Sequence, residues 1–256
     1  MSSNAYRFFE QQNFILNHKF ILNKPNSHKI ISVLRLQPDA IINIFNNTNL
    51  EFIAKIIDIK TNKLIEIQIL QAIPKNLESP LKIHLAQAVA KHDNMDLIIQ
   101  KAVELGVYEI TPIITERTVV KIAANQISKK LEHWQAIATN ACCQCGRNIV
   151  PKINDILFFK NFIINKNHGI TPKFILSIIN NNFNINKLNL DLTKQLALII
   201  GPEGGFSTQE LALAEQYQCI PITFGPRVLR TETAPIVALS ILQAKYGDLL
   251  YINCCI

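Results

Sequence analysis

The sequence predicts an α/β protein in which a small β-rich module precedes a larger domain of alternating strands and helices. Three observations carry this expectation. Residues 51–59 and 63–73 are two β-rich runs on either side of a polar Lys-Thr-Asn turn. Residues 74–80, "PKNLESP", then interrupt the periodicity with polar residues between two prolines. Beyond them the apolar spacing switches back and forth between that of a strand and that of a helix, which is the rhythm of βαβ units.

In chain order, "NSHKIISVLRLQP" offers Asn26 or Ser27 as a cap, apolar residues at Ile30, Ile31, Val33 and Leu34, and a Pro stop, so one helix is expected there. The two runs that follow read as a hairpin. Residues 1–73 thus suit a small β-barrel-like domain, 74–80 a linker, and 81–256 a second domain. In that second domain "LKIHLAQAVA" is a strand candidate. "NMDLIIQKAVELG" is a helix, with apolar residues at Met95, Leu97, Ile98, Ala102, Val103 and Leu105 and a Gly stop. "VYEITPIIT" is the next strand. Further on come a helix over 127–145, strands at 174–179 and 195–200, a helix from Ser207, a strand at 220–224 and a last helix over 233–246. The stretch 155–192, rich in Asn, Ile and Lys, yields no assignment, and no repeat of solenoid period is present.

Composition narrows the function classes. Of 256 residues 48% are hydrophobic, yet no apolar run approaches the roughly 20 residues that span a bilayer. The start lacks an apolar signal region and the end, "NCCI", lacks a Cys four residues from the terminus, so neither export nor prenylation is signalled and a cytoplasmic location is expected. The six cysteines, three of them crowded into "CCQC", do not form a spaced disulfide framework, and free thiols are expected. C-C-x-C has no matching distant pair and a helix spreads these residues around its circumference, so no metal is expected. The net charge of +7 suits either a polyanionic partner or a merely basic surface. Both halves share the excess: residues 1–80 carry nine Lys and Arg against six acids, and residues 81–256 carry seventeen against thirteen.

The chemistry concentrates in two segments. "LIIGPEGGFS" places three of the eight glycines within five residues behind an apolar run, and Ser207 with Glu210 has the spacing of a capping box. Strand, glycine loop and helix start form a cradle with free backbone N–H groups. Phosphate is the usual guest of such a cradle. Here Glu203 sets a carboxylate in the loop, and neither G-x-x-x-x-G-K nor G-x-G-x-x-G occurs there, so a nucleoside without phosphate suits it better. S-adenosylmethionine, with its cationic sulfonium and ammonium groups, qualifies; a plain tight turn is the competing reading. "FGPRVLRTETAPIVALS" repeats the design of strand, Gly-Pro turn and helix, and packs Arg227, Arg230 and Glu232 into six residues at the carboxyl end of an expected buried strand. Ligands of open α/β sheets gather at that edge.

These two segments, with "IQKAVELGV", "ITPIITERTVVK", "QCGRNIVP" and "HKIISVLR", resemble the RsmE family of ribosomal RNA methyltransferases in the SPOUT superfamily. The resemblance covers most of the chain and is weakest over 155–192. It implies a PUA-like RNA-binding barrel followed by a SPOUT domain with a deep trefoil knot, a topology that periodicity does not reveal. It also implies S-adenosylmethionine as cofactor, a homodimer, and methylation of N3 of one uridine in the 16S rRNA of the small ribosomal subunit. Leu176, Ile200, Gly201, Glu203, Gly204, Gly205, Phe224, Gly225, Leu229, Arg230 and Thr233 are the implied cofactor residues, and Arg7, His28, Arg35, Arg147 and Arg227 the implied RNA contacts. His28 and Arg35, seven residues apart on one expected helix, would share a face. Arg147 suits either RNA or a dimer interface. Three positions depart from the family pattern: Cys143 stands where Glu is usual, Phe224 replaces Leu, and Pro235 follows "TETA".

Uridine N3 carries a proton at neutral pH, so its methylation requires alignment, a proton acceptor and stabilisation of charge on O2 and O4. Arg230 suits the last role, because a guanidinium donates two parallel hydrogen bonds. Glu232 suits orientation of that arginine, proton acceptance or a helix cap. A non-catalytic ribosome-binding or assembly module with the same fold is the alternative, and intact glycine loops with Arg230 and Glu232 favour the enzyme.

Overall fold

A computed structural model describes residues 6–165, 172–177, 191 and 195–250. The two termini, with Cys254 and Cys255, lie outside the described residues, as do positions 178 and 179 of the expected strand and most of the Asn-rich stretch. The chain divides into two compact units: residues 1–78 with 142–150, and residues 79–141 with 151–256. Among the described residues no helix is long and apolar enough to cross a membrane.

The first unit is built on a five-stranded sheet, β1 (Arg7–Phe9), β2 (Lys19–Ile21), β3 (Ile41–Phe45), β4 (Leu50–Ile59) and β5 (Ile65–Pro74), in the order β1-β3-β4-β5-β2. The expected hairpin is β4 and β5, closed where Lys60 N donates to the Leu64 carbonyl at 2.9 Å and Lys63 takes a φ of 61°. Period-2 alternation buries Ile65, Ile67 and Ile69 of β5 with Ala54 and Ile56 of β4. Two register shifts between these strands, at Ile53/Ala54 and Ile56/Asp58, add the local twist by which a sheet curls.

The helix of this unit starts earlier than its sequence suggests. α1 (Lys24–His28) is capped by Asn23, whose side chain accepts from Asn26 N at 2.8 Å, with Pro25 in the first turn where its missing N–H costs nothing. Ser27 serves the sheet: its hydroxyl donates to the Leu22 carbonyl and accepts from Ile65 N at 3.1 Å. A six-residue π-helix, Lys29–Leu34, continues the chain and ends at Arg35 in the left-handed conformation, φ 53°.

Among the described residues every paired strand of the second unit is parallel. β6 (Ile83–Ala88), β7 (Glu109–Ile114), β8 (Lys152–Ile153), β10 (Lys173–Leu176), β11 (Leu196–Ile200) and β12 (Ile220–Ile222) run in the order β12-β10-β11-β6-β7-β8, and β9 (Leu157–Phe158) also pairs with β7. The helices are α2 (His92–Glu104), α3 (Ile127–Cys145), α4 (Phe159–Ile164), α5 (Thr208–Gln216) and α6 (Thr233–Tyr246). α4 and α5 bury Phe159, Phe162, Ile163 and Ala214 against Ala86, Ala88, Ala197 and Ile199 of the sheet. α2 and α6 pack on one another. β8, β9 and α4 occupy sequence whose short apolar groups show neither period over enough residues to read.

Because all these strands are parallel, the segments that leave their carboxyl ends emerge at one edge. That edge holds the site.

Candidate active site

A cavity of about 850 Å³ opens at the carboxyl edge of the sheet of the second unit. Each strand there contributes the residues that follow it: Lys91 and Asn94 after β6, Arg117 after β7, Leu176 and Ser177 from β10, Ile200 to Phe206 from β11, and Thr223 to Glu232 from β12.

The first glycine loop is fixed by its neighbours. The Gly205 N–H donates to the Pro202 carbonyl at 2.9 Å and Gly205 adopts φ 66°, a conformation open to glycine but strained for L side chains. A Cβ added to Gly205 would meet nothing within 4 Å, so its α-carbon faces the open cavity. Gly201 is glycine for a different reason: a Cβ there would lie 3.0 Å from the ring of Phe206, which is buried and packs on Phe159. Ser207 and Glu210 form the expected capping box, Ser207 Oγ accepting from Glu210 N at 3.1 Å and Glu210 from Ser207 N at 2.9 Å. The second oxygen of Glu210 accepts from Glu116 N at 2.9 Å, and Arg117 Nη1 donates to the Gly204 carbonyl at 2.9 Å. The segment after β7 thus holds the glycine loop from both ends.

The second loop turns at Gly225, φ 75°, and enters α6. Thr233 N and Ala234 N both donate to the Arg230 carbonyl, at 3.0 and 2.9 Å, which pins the backbone of Arg230 at the helix start. Its side chain is exposed and makes no hydrogen bond or ion pair among the described residues. Glu232 occupies the N-cap position but its carboxylate caps nothing. Instead it accepts from Asn94 Nδ2 at 3.2 Å. Around the cavity stand four cations, Lys91, Arg117, Arg227 and Arg230, against the carboxylates of Glu203 and Glu232.

The structure therefore brings Leu176, Ile200, Gly201, Glu203, Gly204, Gly205, Phe224, Gly225, Leu229 and Arg230 to one cavity, with Arg227 and Glu232 on the same wall. Thr233 does not line it and sits in the first turn of α6. Lys91, Asn94 and Arg117 were not expected; Lys91 at the N-cap of α2, Asn94 in its first turn and Arg117 in the loop after β7 carry no local motif.

Two of the implied RNA contacts are committed elsewhere. In the first unit Arg7 is nearly buried, pairs with Glu51 at 2.6 Å, and donates to the Cys142 carbonyl and to Asn148 Oδ1 at 2.7 and 2.6 Å. Arg147, more deeply buried, grips Glu78 through Nε and Nη2. Both guanidiniums hold residues 142–150 against the first unit rather than facing outward. His28 and Arg35 are exposed, but they do not share a helical face. α1 ends at His28, and the π-helix with the left-handed Arg35 breaks the 3.6-residue phase.

The thiols of Cys142, Cys143, Cys145 and Cys219 are free, and among the described residues no cluster of His, Cys, Asp or Glu could hold a metal ion.

Comparison with known proteins returns consistent relatives. Residues 77–243 match a family model described as an RNA methyltransferase domain, and residues 22–70 one described as an RNA methyltransferase PUA domain. The ribosomal RNA small subunit methyltransferase E of Buchnera aphidicola subsp. Acyrthosiphon pisum is 40% identical over 247 residues, covering 94% of each chain. Among solved structures, a protein of Legionella pneumophila described as a methyltransferase in complex with its bound cofactor SAM superposes with a TM-score of 0.90 at 39% identity, over 96% of this chain and 99% of that one. A ribosomal RNA small subunit methyltransferase E of Neisseria gonorrhoeae bound to S-adenosyl methionine superposes with 0.87 at 32% identity, over 96% and 99%.

Proposed function

The chain belongs to the ribosomal RNA small subunit methyltransferase E family, and from that premise we propose that it methylates N3 of a single uridine in 16S rRNA. It is an S-adenosylmethionine-dependent rRNA methyltransferase. The observation that supports the finer reading is the convergence of both glycine loops with Arg230 and Glu232 on one cavity.

The cavity fits the cofactor: at Gly205 the wall lacks a side chain where one would project into open space. Gly201, Gly204, Gly205, Phe224, Gly225 and Leu229 would hold it, with Leu176 and Ile200 as the apolar floor. When bound, S-adenosylmethionine supplies an electrophilic methyl group. The protein's own residues supply the rest. Arg230, its backbone pinned and its guanidinium unengaged, donates to the uracil oxygens as negative charge gathers there. Glu232, held by Asn94 and free of any capping duty, accepts the N3 proton. The surplus of cations at the mouth draws in the phosphate backbone, and Arg227 is the implied contact in this wall.

The amino-terminal unit acts in this reading as the PUA-like RNA-binding barrel, with exposed His28 and Arg35 on its RNA side. The second unit is a trefoil-knotted SPOUT domain, the active form is a homodimer, and the enzyme works in the cytoplasm where its subunit substrate is found. Family membership supports each of these.

The test is transfer of labelled methyl groups to small subunits that lack the modification, followed by mapping of the modified base. N3 methylation blocks Watson-Crick pairing, so one reverse-transcription stop is expected. Methylation at another atom leaves no stop at that base and overturns the N3 assignment. Binding of S-adenosylmethionine without transfer points to the assembly-factor alternative. Sedimentation at micromolar concentration tests the dimer: a fully active monomer overturns it.

A further inference from the structure

We propose that Asn94 is a positioning residue for the methyl transfer, holding the Glu232 carboxylate so that one oxygen is directed at the substrate imide. The inference rests on the reading of Glu232 as proton acceptor. It begins from a carboxylate with no part in its own helix. Side chains that cap helices, Ser, Thr, Asp and Asn, bond the first free N–H groups, and Glu232, at the N-cap of α6, makes no such bond. Its Oε2 accepts from Asn94 Nδ2 at 3.2 Å, across 138 residues of sequence, and its Oε1 has no partner among the described residues. Both residues line the cavity. A carboxylate can only accept, so the amide nitrogen and not the amide oxygen must face it.

This arrangement settles orientation. Glutamate has three side-chain torsions, and an unanchored carboxylate on a cavity wall samples several rotamers. One amide hydrogen bond to Oε2 selects a single setting and leaves Oε1 as the acceptor. In the transfer the N3–H bond breaks and its proton passes to Oε1, while the electron pair stays on nitrogen and forms the bond to the incoming methyl group. The sulfonium keeps the pair of the broken C–S bond, and Glu232 later gives its proton to water.

The charged groups around Glu232 are few. Lys91, Arg117, Glu203, Arg227 and Arg230 share the cavity. On α2, Asp93 is exposed in the first turn, Asp96 is bound by His133 at 2.9 Å, and Lys101 pairs with Glu104. α6 carries only Lys245, in its last turn. None of these makes a hydrogen bond or ion pair with Glu232.

The experiment measures kcat on small subunits, KM for them and the cofactor dissociation constant for wild type, Asn94→Ala, Asn94→Asp, Glu232→Gln and the double variant Asn94→Ala/Glu232→Gln. Loss of a hydrogen bond to a charged group should lower kcat about tenfold in Asn94→Ala, with KM and the cofactor dissociation constant unchanged. Asn94→Asp keeps the shape but has no N–H to donate, so its kcat should fall at least as far. Asn94→Ala on the Glu232→Gln background should cost nothing more. If Glu232→Gln loses turnover but both Asn94 variants keep the wild-type kcat, Asn94 does not position Glu232 and the inference fails alone. A loss in Asn94→Ala that recurs in full on the Glu232→Gln background overturns it too, since a packing role predicts that result. Wild-type turnover in Glu232→Gln removes the proton-acceptor reading itself.

Discussion

At the scale of the residue, Gly205 and Arg230 divide binding from turnover. Gly205→Val forces a branched side chain into a φ of 66° and directs it at the cavity. Calorimetry should then show S-adenosylmethionine binding abolished, with far-UV dichroism unchanged. Arg230→Ala should retain most cofactor affinity and lose on the order of a hundredfold to a thousandfold in kcat, because its partner charge develops only during transfer. Cofactor affinity intact in the first variant, or turnover intact in the second, would refute the assignment. The cysteines offer a further check. Burial pushes the Cys142 thiol up to about 12 and Cys219 up to about 11. Both stay neutral and unreactive at pH 8, and a maleimide should label them only after unfolding. The sign follows: stability from these buried thiols is complete below about pH 9, where an unfolded cysteine titrates, and is lost as pH climbs toward those folded values. What the sequence made legible at this scale was contiguous. Gly201 to Gly205 and Phe224 to Glu232 stand together in the chain, so their chemistry can be read there. Lys91 and Asn94 at the start of α2 and Arg117 after β7 reach the same cavity from distant parts of the chain, and only sheet order brings them in.

At the scale of the element, the helices with strong local signals lie where periodicity and capping put them. α3 and α6 have the expected bounds, and Ser207 caps α5. α1 shows the limit. Asn23, Asn26 and Ser27 are all acceptable caps in isolation, and the choice falls to Asn23 because the Ser27 hydroxyl is required by Leu22 and by Ile65, which are remote or set by tertiary packing. Glu210 has the same double character. Its capping partner three residues away is visible in the sequence; its bond to Glu116 N, 94 residues away, is not. The two roles predict unequal costs. Ser207→Ala should lose about 1 kcal/mol of stability in chemical denaturation, the usual worth of a cap. Glu210→Ala orphans two backbone N–H groups, that of Ser207 buried and that of Glu116 partly so, and should lose about 2 kcal/mol, with weakened cofactor binding because the glycine loop is released. Equal losses would mean that the bond to Glu116 contributes nothing.

At the scale of the whole molecule, two prolines and a change of rhythm mark residues 74–80 in the sequence, and the first compact unit runs to Glu78, but the return of residues 142–150 to that unit has no local signal. "QCGRNIVP" reads as the end of a helix and a loop. Its attachment depends on Arg7, Glu51 and Glu78 at positions that no local pattern links to it. A fragment of residues 79–256 should therefore be a poor autonomous unit: Arg147 loses Glu78, and Asn148 loses Arg7 and the Lys75 carbonyl. It should bind a hydrophobic dye and melt below the full chain; a fragment as stable as the parent would show that 142–150 is dispensable. The same connectivity has a consequence in time. The polypeptide is made from its amino terminus, and Glu78 leaves the site of synthesis 72 residues before Val150. At roughly 5–20 residues per second, the nascent first unit waits roughly 4–14 s for the segment that neutralises Glu78 and accepts from Arg7. During that interval its core strands are complete while Glu78 lacks Arg147 and Arg7 lacks its acceptors on the segment, so the last step of its folding is scheduled by translation rather than by its own sheet.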